Sequence, residues 1–294
     1  MFRSRPDKPR VLSDALLRRW RLPQPAEGGS KEARGRVLVI AGAVEMPGAA
    51  ILASTAALRA GAGKVRVATA EAAAMSVATA VPELFVIGIS ETRRDESLGA
   101  IVESAKNTDV VLIGPGMRDA EAIRFLLPKL IAIESLRALV IDASALPMVN
   151  DVLPGKPALS GKTIITPHAG EMSKIANVSA DDIAQDPLRT ARETARRLHS
   201  IVVLKGAETT ICGSDGAAFL NRRRNVGLAT AGSGDVLAGV IAGLCARGAD
   251  PIQAAAWGVF AHARAGEQLA KRIAPLGYLA RELLNEIPRL TNLA

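Results

Sequence analysis

Two hydrophobic patterns alternate along most of the chain: short runs of Val, Leu and Ile, and Ala-rich segments with apolar residues three and four positions apart. The short runs predict buried strands at 35–42, 65–69, 84–89, 110–114, 138–141, 163–166, 201–205 and 209–212. The Ala-rich segments predict helices at about 49–60, 71–80, 97–106, 119–134, 170–176, 187–199, 235–247, 251–270 and 277–287. Strands and helices in this alternation predict an α/β fold with a mainly parallel sheet.

The first 34 residues lie outside this pattern. We expect a flexible basic arm there, together with a short amphipathic helix around Leu12–Trp20 that ends before Pro23. Residues 35–294 contain no internal repeat and no long linker, and are therefore predicted to form a single catalytic domain. No run of about 18 apolar residues occurs, so no membrane span is predicted.

The composition indicates which side chains build the core. Hydrophobic residues make up 49% of the chain and aromatic residues only 3%, so the core must consist of Ala, Val, Leu and Ile. Such a core suits a parallel sheet covered by helices. Cys212 and Cys245 are isolated and lack metal-ligand spacing, which favours core thiols in a reducing compartment. We therefore expect a cytoplasmic protein.

The net charge of +8 leaves three interpretations open: a nucleic-acid partner, a phosphate-rich small ligand, or a generally basic surface. Single-stranded nucleic acids are usually bound on aromatic stacking platforms, and this chain has few aromatic residues. Its basic residues are also scattered, with one tight cluster at Arg222–Arg224. The sequence therefore argues against a nucleic-acid partner.

Several candidate residues follow directly after predicted strands. Because the carboxyl ends of parallel strands meet at one edge of a sheet, ligands of open α/β proteins bind there. The segments in such positions are Gly42, Gly114-Pro115-Gly116, Asp142, Pro167-His168, Lys205-Gly206 and the loop 229–235. Their agreement predicts a single site at this edge. Asp142 either supports that site or only caps a turn.

The loop 229–235 is the most informative of these segments. Gly232, Ser233 and Gly234 allow the backbone to approach a ligand, and the apolar helix that follows adds its positive N-terminal dipole. This combination predicts a phosphate or oxyanion cradle. Asp235 beside it is interpreted as a base that faces a hydroxyl group, the alternative being a simple helix cap. Two further glycines on this helix, Gly239 and Gly243, predict close backbone packing.

Two other segments carry candidate ligand-binding side chains. His168 can hydrogen-bond a ligand and Glu171 can reach Mg²⁺ directly or through water, although a capped helix start explains both equally simply. Lys205 lies between two strands, where it meets a phosphate or forms part of an exposed turn. His262, inside a predicted helix, is interpreted as a core histidine.

In this order the motifs resemble the ADP/ATP-dependent NAD(P)H-hydrate dehydratase family, a branch of the ribokinase-like superfamily. The resemblance runs from about Gly35 to Pro288, and its strongest segments are Gly35–Gly63, Thr166–Met172, Val203–Thr209 and Ala229–Gly243. It implies a ribokinase-like three-layer α/β/α fold with a central, mainly parallel sheet. It also implies a hydro-lyase that removes water from C6 of hydrated NADH or NADPH. Bacterial-type members couple this step to cleavage of ADP to AMP and phosphate.

The resemblance also implies roles for individual residues. Those implied to bind the hydrated cofactor are Ala49, Gly114, Gly116, His168 and Asp235. Those implied to bind the nucleotide are Lys205, Gly206, Ala207, Glu208, Thr209, Gly232, Ser233 and Gly234. Mg²⁺ would accompany ADP or ATP, with Glu171 as its ligand, and the choice between the two nucleotides stays open. The family further implies a homo-oligomer, a tetramer, and a separate epimerase that supplies the S epimer.

The chain departs from the family pattern at four places. Asp142 is followed by Ala143-Ser144, where many relatives have a second Asp, and His168 is followed by Ala169, where they have Pro. Arg223-Arg224 replace a flexible Thr-Gly, which puts contacts at the nucleotide edge in doubt, and Arg281-Glu282 replace a late Ser-Asp. Two other functions remain: a ribokinase-like kinase for a small molecule such as a vitamin precursor, and a nucleotide- or nucleic-acid-binding protein without turnover.

Overall fold

Ten strands form one sheet in the computed structural model, which describes residues 8–26, 28–154 and 161–292. In chain order they are β1 (Arg10–Val11), β2 (Arg36–Ile40), β3 (Lys64–Ala70), β4 (Phe85–Ile89), β5 (Val110–Ile113), β6 (Ala138–Ile141), β7 (Thr163–Ile165), β8 (Ile201–Leu204), β9 (Thr209–Cys212) and β10 (Ala218–Asn221). The spatial order is β1-β10-β9-β8-β7-β6-β5-β2-β3-β4. β9 is antiparallel to both of its neighbours and every other pair is parallel, so the prediction of a mainly parallel sheet is confirmed.

Helices connect most of these strands. They are α1 (Asp14–Arg19), α2 (Pro47–Arg59), α3 (Glu71–Ala80), α4 (Arg94–Lys106), α5 (Ala120–Ile131), α6 (Val149–Val152), α7 (Ala169–Ala176), α8 (Ala180–Gln185), α9 (Pro187–Arg197), α10 (Ser233–Ala246), α11 (Pro251–Arg272) and α12 (Ala280–Leu290). A short 3₁₀-helix also spans Ala143–Met148. None of the helices in the described ranges is long and apolar enough to cross a membrane.

The strands present apolar side chains to both faces of the sheet, because successive residues point in opposite directions. Val37 and Val39 of β2 belong to the core that packs under α2, α10, α11 and α12. Leu38 and Ile40 belong to a second core under α4, α5, α7 and α9. The result is a three-layer α/β/α arrangement. Cys212 and Cys245 are both buried and free, as the sequence predicts.

The sheet has one topological switch point. From β2 the chain adds β3 and β4 on one side, and then returns to place β5 on the other side of β2. The connections after β2 and β5 therefore leave the sheet in opposite directions and open a crevice between them, where α/β proteins bind ligands. The predicted segments at Gly42 and 114–116 lie at this crevice.

Helices α2 and α10 are in backbone contact, which confirms the close packing predicted from Gly239 and Gly243. A Cβ atom at Gly239 would overlap the carbonyl oxygen of Ala53, and one at Gly243 would overlap that of Ala57. Only glycine at these positions lets α10 lie so close to α2. This contact fixes where the N-terminus of α10 meets the sheet edge.

One expectation for the N-terminal segment is wrong in part. Arg10 and Val11 are not a free arm but pair in parallel with β10, and Leu12 and Leu17 are buried. The apolar positions of this segment attach it to the exposed edge of the sheet. Residues 1–7 of the predicted arm lie outside the described residues.

The α2–α10 contact makes a prediction about stability. Gly239→Ala places a methyl group against Ala53 and should lower the free energy of unfolding by about 1–3 kcal/mol. The matched control is Gly99→Ala in α4, where no atom lies within 4 Å of the added Cβ. That change should raise the free energy of unfolding by about 0.5–1 kcal/mol, since alanine suits a helix better than glycine does. Urea unfolding measures both. A Gly239→Ala variant as stable as the wild type would contradict the packing argument.

Candidate functional site

The loop before α10 forms the cradle that the sequence predicts, with a small correction. Gly232 has a φ of +84° and is the N-cap of α10, a left-handed conformation that glycine adopts without strain. The Ser233 amide donates to the carbonyl of Thr230 at 3.2 Å and is therefore occupied. The amides of Gly234 and Asp235 belong to the first helical turn, which has no preceding carbonyl groups to bond. Of the predicted cradle, the Ser233 amide is therefore not available to a ligand, whereas these two amides lie in the first turn of α10.

Asp235 has the titration behaviour of a base. Burial raises the pKa of its carboxyl group, the negative charge of Asp142 adds to this effect and the positive charge of Lys205 opposes it, and the resulting pKa is about 6. A pKa near the working pH lets a carboxylate accept a proton readily and release it again. The simple-cap alternative does not describe this residue, because Gly232 occupies the N-cap position.

Asp142 and Lys205 form the charged centre of the sheet edge. Lys205 Nζ donates to Asp142 Oδ1 at 3.1 Å, and Thr166 Oγ1 donates to the same oxygen at 2.6 Å. Asp142 is buried, and a Cβ atom at Gly234 would lie 3.5 Å from Lys205 Nζ. The ammonium group therefore lies against the first turn of α10. The Asp142 side chain makes no capping hydrogen bond and instead bonds to Lys205, which favours the first of the two interpretations left open by the sequence.

His168 and Glu171 form a capping box at the start of α7. His168 Nδ1 accepts from the amides of Gly170 and Glu171, and Glu171 Oε2 accepts from the His168 amide at 2.8 Å. The same Glu171 oxygen lies 4.0 Å from Lys205 Nζ. The capping interpretation of this segment is thus correct. It also brings the Glu171 side chain to Lys205, and the backbone of His168 pairs with that of Lys205.

The donor groups present do not make a resident metal cage. Within the described ranges, no three His, Cys, Asp or Glu side chains lie close enough together to hold a metal ion. Glu171 uses Oε2 in the capping box, which leaves its other oxygen. These residues fit a Mg²⁺ ion that arrives with nucleotide phosphates and keeps mostly phosphate and water ligands, as Mg²⁺ commonly does.

A second group of predicted residues lies at the switch-point crevice. Gly116 has a φ of +63°, and a Cβ atom on it would overlap the methyl group of Ala49 at the start of α2. Gly114 has a φ of +119°, and a Cβ atom there would overlap the carbonyl of Asp142. The Gly42 amide donates to the Pro115 carbonyl at 2.8 Å. Bare backbone therefore lines the crevice and continues to Asp142.

Asp235 stands between these two groups. A Cβ atom at Gly232 would lie 3.9 Å from Asp235 Oδ2 and would overlap Leu52, which shares α2 with Ala49. Lys205 and Asp142 are close enough to influence the charge of the same carboxylate. The tertiary structure thus places the proposed base between a charged centre and a crevice lined by glycine.

A cavity of about 760 Å³ opens on the charged side of this arrangement. Seven of the predicted residues line it: His168, Lys205, Gly206, Ala207, Thr209, Ser233 and Gly234. Helices α10 and α11 and the segment after β10 complete its walls with Asn221, Arg223, Arg224, Asn225, Val226, Leu228, Ala229, Thr230, Leu237, Val259, His262 and Ala263. Ala49, Gly114, Gly116 and Asp235 do not line the cavity. The site therefore has two compartments.

His262 is buried, as the sequence indicates, but it also belongs to the cavity wall. Its Nε2 lies 3.0 Å from both the carbonyl oxygen and Oγ of Ser233. Because a carbonyl oxygen only accepts, Nε2 carries the proton. Burial lowers the pKa of His262 to about 4, so the imidazole is neutral near pH 7. The Ser233 hydroxyl proton therefore remains available to a ligand.

Two contributors to the site were not identified from the sequence. Thr166 is the last residue of a predicted strand, a position that could have marked it. Asn221 ends a strand, β10, that was not predicted at all.

Two of the departures from the family pattern make contacts near the site. Arg224 pairs with Glu208 at 2.8 Å, which shows what replaces the flexible Thr-Gly of the family pattern. Ser144, which follows Asp142 and Ala143, donates to the Met117 carbonyl at 2.5 Å and secures the 114–117 loop.

The fold and site together define a ribokinase-like protein. The structure is similar to that of a ribokinase-like superfamily protein from Enterococcus faecalis V583, with a TM-score of 0.83, 28% identity and coverage of 96% of this chain and 95% of that chain. The model of the NAD(P)H-hydrate dehydratase family matches residues 37–289. The chain belongs to the NAD(P)H-hydrate dehydratase family.

Named relatives agree with this assignment. The chain is 44% identical over 283 residues to the ADP-dependent (S)-NAD(P)H-hydrate dehydratase of Xanthomonas campestris pv. campestris, with 95% of each chain covered. It is also similar to the ADP/ATP-dependent NAD(P)H-hydrate dehydratase of Bacillus subtilis co-crystallised with ATP/Mg²⁺, with a TM-score of 0.76, 28% identity and coverage of 92% and 94%. It spans about half the length of the bifunctional NAD(P)H-hydrate repair enzymes that it also matches.

The charged centre makes a prediction that needs no turnover. Asp142→Asn removes a negative charge close to Asp235 and frees Lys205 from its partner, while the Asn oxygen still accepts from Thr166. Both effects favour the ionised form of Asp235, so its pKa should fall from about 6. A carbon-13 NMR titration of the Asp235 carboxyl group measures the change. An unchanged or higher pKa would show that Asp142 does not act on Asp235.

Proposed function

We propose that this chain is an ADP-dependent (S)-NAD(P)H-hydrate dehydratase, which restores hydrated NADH or NADPH while ADP is cleaved to AMP and phosphate. The observation that carries the proposal is the position of Asp235 between two compartments, with its pKa raised to about 6. The 44% identity to a protein of that name supports the choice of ADP and of the S epimer.

The two compartments suit two ligands of different chemistry. In the cavity, Lys205 and the amide of Gly234 offer positive charge to phosphate groups, and the amide of Asp235 follows in the same helical turn. The residues from Gly206 to Thr209 continue along the same wall and would hold the rest of the nucleotide. The glycine-lined crevice at Ala49 and Gly116 would admit the flat ring of the hydrated nicotinamide to the backbone. His168, beside Lys205, would contact that substrate.

Asp235 would act where the two ligands meet. The hydroxyl group at C6 gives its proton to Asp235, and the C6 oxygen bonds to the terminal phosphorus of ADP. The bond from that phosphorus to the bridging oxygen breaks at the same time, which releases AMP. The C6–O bond of the new ester then breaks with electrons from the ring nitrogen. Loss of a proton from C5 restores the double bond, so hydroxide, a poor leaving group, departs as phosphate.

The surrounding charges would stabilise the phosphoryl transfer. Negative charge that develops on the equatorial oxygens is met by Lys205 and by the two first-turn amides, which are already oriented before reaction. The Ser233 hydroxyl, which His262 leaves free, supplies one more donor. Mg²⁺ bound to the phosphates would neutralise further charge. Glu171 is the side chain that we would assign to it as a ligand.

The first test separates dehydration from a kinase reaction. Purified protein is incubated with hydrated NADH and ADP or ATP, while NADH absorbance and free phosphate are followed. Recovery of absorbance with one phosphate released per NADH supports dehydration, and a stable phosphoester supports a kinase. Asp235→Asn should lower kcat by about 10²- to 10⁴-fold, because the proton acceptor is lost.

Nucleotide binding provides the control for this variant. The Asp235→Asn protein should bind ADP about as well as the wild type, since Lys205 and the amides remain. Asp181→Asn, on the exposed surface of α8, should leave kcat unchanged. Full activity of Asp235→Asn would contradict the assignment of the base.

The raised pKa of Asp235 predicts the pH dependence of the reaction. The base must be ionised to accept the proton, so kcat/KM, which reports the groups of the free enzyme, should be maximal above about pH 6 and should fall as pH decreases through that value. Initial rates at substrate concentrations well below KM, measured between about pH 4.5 and about pH 8.5, give this profile. A rate independent of pH across the range would remove Asp235 from this role.

Three further properties rest on the sequence and on the family resemblance. We propose a cytoplasmic location, a homotetramer, and a separate epimerase that converts the R hydrate for this enzyme. Exposed apolar side chains at Met75 of α3 and Phe85 of the edge strand β4 are consistent with a subunit contact. Light scattering of the purified protein gives the mass, and a monomer would contradict the tetramer.

A further inference from the structure

Asn221 is a polar group in the cavity wall that the chemistry above does not use. It is the last residue of β10, is only 3% exposed and lines the cavity. Its Oδ1 atom is buried without a hydrogen-bond partner among the described residues. Buried amide oxygens in native structures are nearly always satisfied, so an unpartnered one beside a cavity indicates a ligand that completes it.

The sheet places Asn221 at a defined distance from the phosphate cradle. β8, β9 and β10 are neighbours, and β10 runs in the same direction as β8. Asn221 therefore ends at the same sheet edge as Lys205, two strand spacings or about 10 Å away. Thr209, its cross-strand partner on β9, lies between them and also lines the cavity. A nucleotide with its phosphates at Lys205 would have its ribose along Thr209 and its base near Asn221.

The cavity wall at this end suits a flat aromatic base. Leu237 of α10 and Val259 and Ala263 of α11 line it, together with Leu228 from the segment before α10. These side chains offer aliphatic surface to the face of a ring and no hydrogen bonds to its edge. Asn221 adds a polar group beside this aliphatic surface, and its carboxamide presents one acceptor and up to two donor hydrogens side by side.

We propose that Asn221 recognises the adenine base of the nucleotide through a pair of hydrogen bonds. Oδ1 accepts from the exocyclic amine, and Nδ2 donates to the adjacent ring nitrogen, the pairing that asparagine makes with adenine elsewhere. This inference rests on the proposed function for the presence of an adenine nucleotide in the cavity. It extends that function by naming the residue that selects the base.

Binding of two nucleotides to two proteins tests this pairing. The ligands are ADP and purine riboside 5′-diphosphate, which lacks only the exocyclic amine, and isothermal titration calorimetry measures Kd. Wild-type protein should bind ADP about 10- to 100-fold more tightly. Asn221→Ala should bind both ligands with nearly equal Kd. Asn107→Ala, on the surface at the end of α4, is the control and should keep the wild-type ratio.

The ratio of the two Kd values separates recognition from a structural role. If Asn221→Ala weakens both ligands equally and keeps their ratio, the residue only shapes the cavity and the proposal is overturned. If Asn221→Ala instead changes the ratio of the Kd values for ADP and 2′-deoxyADP, Asn221 lies at the ribose, and the proposal is also overturned. Asn221→Leu has a similar size and shape and loses both the acceptor and the donor, so it should likewise reduce the ADP advantage if the alanine variant fails to fold.

Calorimetry also keeps this inference apart from the proposed function. A protein that binds ADP through Asn221 but does not restore NADH supports adenine recognition and contradicts the dehydratase. A protein that restores NADH but binds both diphosphates equally supports the dehydratase and contradicts the role of Asn221. Wild-type protein that binds neither diphosphate contradicts both.

Discussion

The backbone contact between α2 and α10 is the constraint on which the site depends. With Gly239 and Gly243 against the carbonyls of Ala53 and Ala57, the axis of α10 is fixed relative to the sheet. Its N-terminus therefore reaches the edge at which the parallel strands end. The same contact holds the start of α2, with Ala49, against Gly116. One packing interaction thus positions both the phosphate cradle and a wall of the crevice.

The charged side chains at this edge act on one another. Asp142 holds Lys205 at 3.1 Å and also raises the pKa of Asp235, while Lys205 lowers it. Burial is the largest of these influences, and it moves the pKa of the carboxyl group towards neutral pH. A phosphate that binds to Lys205 would add negative charge beside Asp235. This would strengthen the carboxylate as a proton acceptor at the moment when a hydroxyl group must lose its proton.

The departures from the family pattern are accommodated by local contacts. Ser144 donates its hydroxyl hydrogen to the Met117 carbonyl, so the crevice loop is held without a second aspartate. Arg224 pairs with Glu208, and Arg223 pairs with Glu267 and Asp14, which ties the segment after β10 to α11 and α1. The replacement of Thr-Gly by two arginines therefore gives this cavity edge ion pairs where a flexible turn is expected.

The sequence by itself determined the α/β alternation, the mainly parallel sheet and the gathering of Gly114, Asp142, His168, Lys205 and the 229–235 loop at one edge. Hydrophobic periodicity and strand-end position are local properties, and they can be read without knowing the contacts. The tertiary structure alone decided that Arg10–Val11 joins the sheet, that the Ser233 amide bonds to the Thr230 carbonyl, and that Asn221 lines the cavity. Each of these depends on residues that are distant in the chain or on the exact path of a turn, which no local pattern encodes. The pKa of Asp235 belongs with them, because it arises from burial and from two charges that come from other strands.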